Sequence, residues 1–274
     1  MELRQLRYFV RIIETGSMGS AAQDLDIGVS ALSQQIALRH ADDAILAARE
    51  ARLSGHVSVG MAPSTASILG IPFIHAMQEN YADVRLHVVE SLSGNLERMI
   101  NTRQIDLAIV FQKDKILRWS ARPILEEQLF LIGSHALLAA LPDNPITPEQ
   151  LAGIPLIMPS QGHGLRGRLD AVCQEHALNV EIVAEIDGLA LLMRAVRDGL
   201  GATLQPGAAI SHLDNDALRV IGVHNPVLSR PNFLVSLSDD ELTPAGLAAR
   251  VVLTKVMRQL VDAGEWPGAT LYAY

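Results

Sequence analysis

The sequence predicts an α/β protein in two parts: an amino-terminal helix-turn-helix region with a linker helix, then a larger α/β domain. Three observations predict it. Apolar residues at Leu6, Phe9, Val10 and Ile13 recur at helical spacing, and two short helical stretches around a glycine-containing turn follow them. From His56 onward, strand-like and helix-like stretches alternate, the order that produces a parallel sheet flanked by helices. The composition of 274 residues, 49% hydrophobic and 19% charged, provides apolar surface for more than one folded unit.

The amino-terminal elements follow in order. Thr15-Gly16-Ser17 ends the first helix, with Gly16 suited to the position after the last turn and Ser17 to capping the next helix. Ala21, Ala22 and Leu25 share the inner face of a short second helix. Asp26-Ile27-Gly28-Val29 forms a tight turn, and Ser30 to Ala37 a third helix with Leu32 and Ile36 inward. In a helix-turn-helix the second helix of the pair enters the DNA major groove. Serine and glutamine there, as at Ser33, Gln34 and Gln35, exchange hydrogen bonds with base edges. An ordinary three-helix packing unit has the same spacing. Beyond Ala37 there is no hairpin signal and no strand-like run before His56. Ala41, Ile45 and Ala48 keep helical spacing with no Gly or Pro between. The third helix is therefore expected to continue into the linker, from about Ser30 to Arg52, roughly 35 Å at 1.5 Å per residue.

Ser54-Gly55 marks the boundary to the second part. Strands are expected at Val57–Gly60, Arg85–Glu90 and Asp106–Val110, with helices from Ala62-Pro63 to about Asn80 and from Gly94 to Arg103. Ligands of such sheets bind beyond the carboxyl ends of the strands, here at Ser64-Thr65 and Ser91–Ser93. Further strands are expected at Gln128–Ile132, Leu156–Met158, Val180–Ile186, Gly199–Gln205 and Asn232–Ser236. Helices are expected from Thr147-Pro148, from Gly164 to about His176, at Leu189–Arg197, as a turn at Pro206–His212, and from Thr243 to Val261. The tail Ala263–Tyr274 reads as irregular.

Composition excludes several functions. Cys173 is the only cysteine, so there is no internal disulfide and no cysteine-rich zinc site. The amino terminus has no apolar core behind its charges and is not read as an export signal, and no apolar run is long enough to span a bilayer. A cytoplasmic protein with no membrane contact is expected. No nucleophile elbow, phosphate-cradling glycine loop with lysine, or His-Glu-x-x-His is present, so neither enzyme activity nor a metal or other cofactor is expected. The net charge is −8, and residues 1–53 carry six arginines against seven carboxylates. This is a weak electrostatic footprint for a DNA-binding region.

Leu6-Arg7-Tyr8-Phe9-Val10, Gly16-Ser17, Ala21-Ala22 and Ala31-Leu32-Ser33-Gln34-Gln35-Ile36 together resemble the amino-terminal end of LysR-type transcriptional regulators. Asp106-Leu107-Ala108-Ile109, Pro155-Leu156-Ile157 and Val196-Arg197-Asp198-Gly199-Leu200-Gly201 resemble their effector domain. The resemblance implies a periplasmic-binding-protein-like domain of two α/β subdomains joined by two crossings, with a small-molecule cleft between them. Residues 1–37 would be the helix-turn-helix, 38–54 the linker and 55–274 the effector domain. Subdomain I would take about 55–125 and 232–264, and subdomain II about 126–231. It implies DNA contact through Ser17, Gly28, Val29, Ser30, Ser33 and Gln34. Promoter DNA, a small-molecule effector, further copies in a homodimer or homotetramer, and RNA polymerase are the partners it implies. The sequence departs from the family at Gly28-Val29, where Gln-Pro or Gln-Ser is usual. It also departs after Ala37, where the β-hairpin wing and the first part of the linker helix are missing. A ligand-responsive dimerising module with impaired DNA binding, or a small-molecule-binding protein alone, is the alternative.

The effector candidates are Ser64, Thr65, Ser93, Ser160, His163 and Thr203. Ser64 and Thr65, with the N–H groups of their helix start, suit a carboxylate, or else they cap the helix. Ser93 and Thr203 match cleft-facing family positions; a turn serine and a β-branched core residue are the plain readings. Ser160 and His163 open the helix of the second subdomain, where a neutral imidazole can donate to an anion or simply face solvent. Arg166 and Arg168 add positive charge nearby, or belong to a solvated helix face. Together these residues point to a small anionic or polar metabolite.

Overall fold

A computed structural model describes residues 22–23, 25, 27–28, 53–111, 120–143, 145–161, 164–210, 217–224, 228–236 and 241–272. The chain forms two compact units, 1–53 and 54–274. In the first, Ala22 is helical and buried, and the Ile27 N–H donates to the Ala22 carbonyl at 3.0 Å, closing the turn before the exposed Gly28. Leu25 is half-buried where the helical spacing placed it inward. Ser17, Val29, Ser30, Ser33 and Gln34, the expected continuous helix over 30–52, and His163 lie outside the described residues.

The second unit begins with β1 (Gly55–Met61), α1 (Pro63–Asn80), β2 (Val84–Glu90), α2 (Ser93–Asn101) and β3 (Leu107–Val110). As the alternation predicts, β1 pairs in parallel with β2 on one side and β3 on the other. Thr65, Leu69, Phe73 and Met77 form a buried four-residue stripe along α1. Leu96 and Ile100 anchor α2 on a core with Ile105, Ala108, Val110 and Val235.

The sheet is not parallel throughout. β4 (Ser120–Ser134) and β9 (Ser229–Ser236) join it antiparallel, and β10 (Ala269–Leu271) adds the far edge. The strand expected at Gln128–Ile132 thus starts eight residues earlier. Pro123 and the adjacent Glu126-Glu127 hide it in the sequence. The proline is accommodated at a bulge, where the register shifts between Pro123 and Leu125.

β4 runs through two sheets. Up to Gln128 it pairs with β9; from Leu129 it pairs with β7 (Thr203–Pro206) and β8 (Leu218–Gly222). Beside these lie β5 (Pro155–Met158) and β6 (Glu181–Glu185), paired in parallel, with α3 (Gly164–Glu175) and α4 (Leu189–Arg197). β4 and the return into β9 therefore connect two α/β lobes. Strand β8 was not expected, and the helix expected at Thr147-Pro148 is a single 3-10 turn, Pro148–Leu151. A Leu129, Leu131, Leu156, Leu169 and Val172 cluster fills the second lobe on one side. Ile132, Ile157, Leu192 and Val196 fill it under α4.

Helix α5 (Pro244–Asp262) starts at Thr243, whose Oγ1 accepts from the Gly246 N–H at 3.1 Å, and packs on α1 and β1. The tail after it, read as irregular, has turns and bends up to Gly268 and then forms the three-residue strand β10. Gly268 has φ +72°, a conformation that favours glycine, and a Cβ there would meet the Phe130 ring at 2.7 Å. The Gly268 carbonyl accepts from the Gln128 N–H at 2.9 Å, and Gly207 admits Pro267 where a Cβ would lie 2.3 Å from its carbonyl oxygen. Glycine at these two close approaches is what lets the tail lie against β4.

Candidate functional site

The carboxyl ends of β1, β2, β3, β5 and β6 open on one cleft between the lobes. Its empty volume is about 410 Å³, part of it open to solvent. The first lobe lines it with Ala62, Pro63, Ser64, Leu92, Ser93, Phe111 and Arg230; the second with Pro159, Asp187, Leu189, Leu192 and Gln205. Three helices begin at this cleft, and none has a side-chain cap: α1 starts after Ala62, α2 after Leu92 and α4 after Gly188. Uncapped first-turn N–H groups and the positive ends of three helix dipoles favour an anion there.

Among the described residues lining the cleft, Arg230 is the cation, and the sequence reading did not single it out. It is 3% exposed. Its Nε donates to Glu127 Oε2 at 2.7 Å and its Nη2 to Ser64 Oγ at 2.9 Å, while the guanidinium carbon lies 3.8 Å from the centre of the Phe111 ring. Glu127 is fully buried and sits directly opposite Arg230 on the β4–β9 ladder. It also accepts from Asn232 Nδ2 at 2.9 Å and from the Trp266 indole N–H at 2.7 Å. Strands β4 and β9 and the carboxyl-terminal tail thus meet at one carboxylate, which fixes the plane of the arginine. Two atoms behind this wall, Thr65 Oγ1 and Asn232 Oδ1, are buried with no hydrogen-bond partner among the described residues.

The candidates named from sequence divide as follows. Ser64 lines the cleft but does not cap α1; it lies inside the first turn and takes the Arg230 hydrogen bond. Thr65 is buried beside it. Ser93 lines the cleft at the start of α2, and its Oγ accepts from the Phe111 N–H at 3.5 Å, holding the ring that covers Arg230. Ser160 is outside the cleft lining and is engaged elsewhere: its N–H and hydroxyl both donate to Asp187 Oδ1, at 2.9 and 2.8 Å. Thr203 does not face the cleft. It is fully buried on β7 with its hydroxyl 4.0 Å from Met158 Sδ, because the inner face of that strand packs on β5.

The two helix arginines are not on a solvated face. Arg166 is buried and ion-paired to Asp170 at 2.9 Å and Glu185 at 2.7 Å, and those hydrogen bonds, the Asp170 one foremost, raise its pKa. Arg168 Nη1 donates to the Ser229 carbonyl at 2.6 Å, and burial lowers its pKa. The sequence offered no local signal for Arg230 and Glu127: each stands among polar neighbours, in Ser229-Arg230-Pro231-Asn232 and Glu126-Glu127-Gln128. It did not pair them, because they stand 103 residues apart.

Among the described residues no group of three His, Cys, Asp or Glu side chains is placed to hold a metal ion, and no helix is long and apolar enough to cross a membrane.

Two lobes with strand ends and bare helix starts converging on one cleft define a small-molecule-binding module. The sequence model of the LysR substrate binding domain matches residues 50–258, and that of the bacterial regulatory helix-turn-helix protein, lysR family, matches residues 3–40. The chain belongs to the LysR family of transcriptional regulators, proteins that join a DNA-binding helix-turn-helix to an effector-binding domain. It is similar to the nitrogen assimilation regulatory protein nac of Escherichia coli K12, 26% identical over 97% of this chain and 99% of that one. That alignment runs over 312 positions, more than this chain has residues, so the relative holds segments without a counterpart here. The HTH-type regulator BbuR of Bordetella bronchiseptica is 24% identical over 79% of this chain and 66% of its own. Two solved structures share the fold. Full-length BenM has a TM-score of 0.67 at 18% identity, covering 98% of this chain and 99% of BenM. The effector binding domain of QuiR, in complex with shikimate, has a TM-score of 0.67 at 17% identity, covering 76% of this chain and 99% of QuiR's domain.

Proposed function

We propose that this regulator responds to a small anionic metabolite held between its lobes, with Arg230, Ser64, Ser93 and the starts of α1, α2 and α4 as its recognition surface. The observation that carries this reading is the convergence of three uncapped helix starts and one buried arginine on a single cleft. QuiR, of the same fold, was solved with the carboxylate shikimate. A thermal-shift screen of the full chain against carboxylates and matched neutral compounds tests it. Carboxylates should raise the melting temperature and Arg230→Lys should weaken the effect. Stabilisation by neutral compounds alone would refute the reading.

Ser17, Gly28, Val29, Ser30, Ser33 and Gln34 are the proposed DNA contacts, on promoter DNA bound by a cytoplasmic homodimer or homotetramer, with RNA polymerase as a further partner. The arm is proposed to bind weakly, through a recognition helix that continues into the linker without a wing. Residues 1–53 are slightly acidic, and the nac relative holds segments that this chain lacks. Fluorescence anisotropy with DNA from upstream of the encoding gene, titrated with salt, decides the point. Little specific binding at physiological salt is expected; tight binding with a steep salt slope would restore a full operator contact.

A further inference from the structure

The first lobe brings Arg230 and Ser64 to the cleft; the second brings a polar side chain of its own, Gln205 on β7. The neighbouring Leu204 packs into the apolar core of that lobe, so the alternation of the strand turns Gln205 to the other side. Gln205 is 4% exposed and lines the cleft. Its amide has no hydrogen-bond partner among the described residues, and it is not sealed in as Thr65 Oγ1 and Asn232 Oδ1 are, so its polar atoms open on the cleft. Arg230 and Ser64 differ in this respect, because they bond to each other and Arg230 also to Glu127. An amide carries one acceptor oxygen and two N–H donors and has no charge. Enclosed without partners it costs stability, since no bond offsets its desolvation. An apolar side chain of the same length would occupy the position without that cost.

We infer, building on the effector reading above, that Gln205 is the specificity-determining residue of the second lobe, and that the effector is a carboxylate bearing an uncharged group that both donates and accepts hydrogen bonds, a hydroxyl or a carboxamide. The carboxylate meets Arg230, Ser64 and the uncapped start of α1. The uncharged group exchanges hydrogen bonds with the Gln205 amide, so one molecule bonds both lobes. Leu92, Phe111, Leu189 and Leu192 line the cleft beside these groups and pack on the carbon skeleton. A methyl in place of the hydroxyl leaves the amide enclosed and unpaired. That penalty is how the site separates two molecules of nearly the same shape.

The test uses the full chain and Gln205→Met, which keeps the length and unbranched shape of the side chain and removes both polar atoms. Without ligand, the variant should melt at the temperature of the native chain or higher, because an unpaired amide is lost. A clear fall would show that the amide is bonded within the fold, and overturns the inference. Isothermal titration calorimetry then compares carboxylates in matched pairs, a methyl replacing the hydroxyl or the amide nitrogen: hydroxybenzoates against toluates, hydroxybutyrates against methylbutyrates, and succinamate against levulinate. In at least one pair the hydroxyl or carboxamide member should bind about tenfold tighter or more, and Gln205→Met should erase that preference. Pairs that bind without preference, or a preference that survives Gln205→Met, overturn the inference and leave the anionic-effector reading standing. Binding of none of these carboxylates at millimolar concentration overturns both.

Discussion

Glu127 and Arg230 show how a buried pair becomes useful at a binding site. Desolvating both charges is costly, and the three donors on Glu127 offset that cost through short, charge-assisted hydrogen bonds. Replacing one partner strands the other. Glu127→Gln should therefore destabilise the domain by about 3–5 kcal/mol in urea unfolding, whereas Glu127→Gln with Arg230→Met should recover part of the loss. A double variant no more stable than the single one would show that the pair is not what holds this wall. Cys173 makes the opposite point. It lies on α3 against the second-lobe core, and burial, with Asp170 nearby, pushes its thiol above the ordinary range. A raised pKa means less thiolate at neutral pH, so iodoacetamide should alkylate Cys173 more slowly than a free cysteine peptide and speed up in urea. Fast labelling of the native chain would contradict this.

The carboxyl-terminal tail is the element whose role differs most from its appearance. Trp266-Pro267-Gly268 reads as a loop, but Trp266 is buried and donates to Glu127, and β10 pairs with Leu125–Glu127 of β4. The tail thus closes the sheet edge behind the arginine. Gly268→Ala meets two obstacles, the positive φ and the Phe130 ring, and should cost about 1–3 kcal/mol. Gly264→Ala, with a similar φ but no atom near its Cβ, provides the control. Chemical denaturation of the two variants separates backbone strain from crowding: the difference between them reports the ring contact. Helix α1 is the other decisive element. Its bare start is held in place by Ser67, whose hydroxyl lies 2.7 Å from the carbonyl oxygens of both Ser64 and Ala208, one in each lobe.

Across the molecule, the lobes are connected by β4, the start of β9 and a few side chains at their junction. Arg168 reaches from α3 to the Ser229 carbonyl; Ser229 Oγ and the Tyr272 hydroxyl both donate to Glu126, the latter at 3.2 Å. Burial, with Glu126 beside it, raises the Tyr272 pKa, so the hydroxyl keeps its proton and its donor role at neutral pH. Arg168→Met removes the charged donor from this junction. A loss of about 1.5–3 kcal/mol is expected, with a broader or biphasic urea transition as the lobes uncouple. A transition that stays sharp and merely shifts would place the coupling in the strands alone.

The sequence by itself determined the class of the protein, the order of most of its elements and which strand ends open on the cleft. These are local or periodic properties: the alternation from His56 onward, the helix from Ala62-Pro63 to about Asn80, and the turns that place Ser64 and Ser93 beyond strand ends. Helix α4 was legible in full, at Leu189–Arg197, because its pattern is strongly amphipathic. Tertiary structure decided what the site is made of. Arg230 and Glu127 look like surface charges until an antiparallel ladder puts them opposite one another. Thr203 looks like a cleft residue until β7 turns it onto Met158, and the tail looks irregular until β4 offers it an edge. Such contacts join residues from 45 to more than a hundred positions apart, and no local pattern in the chain encodes which distant partner desolvates a charge.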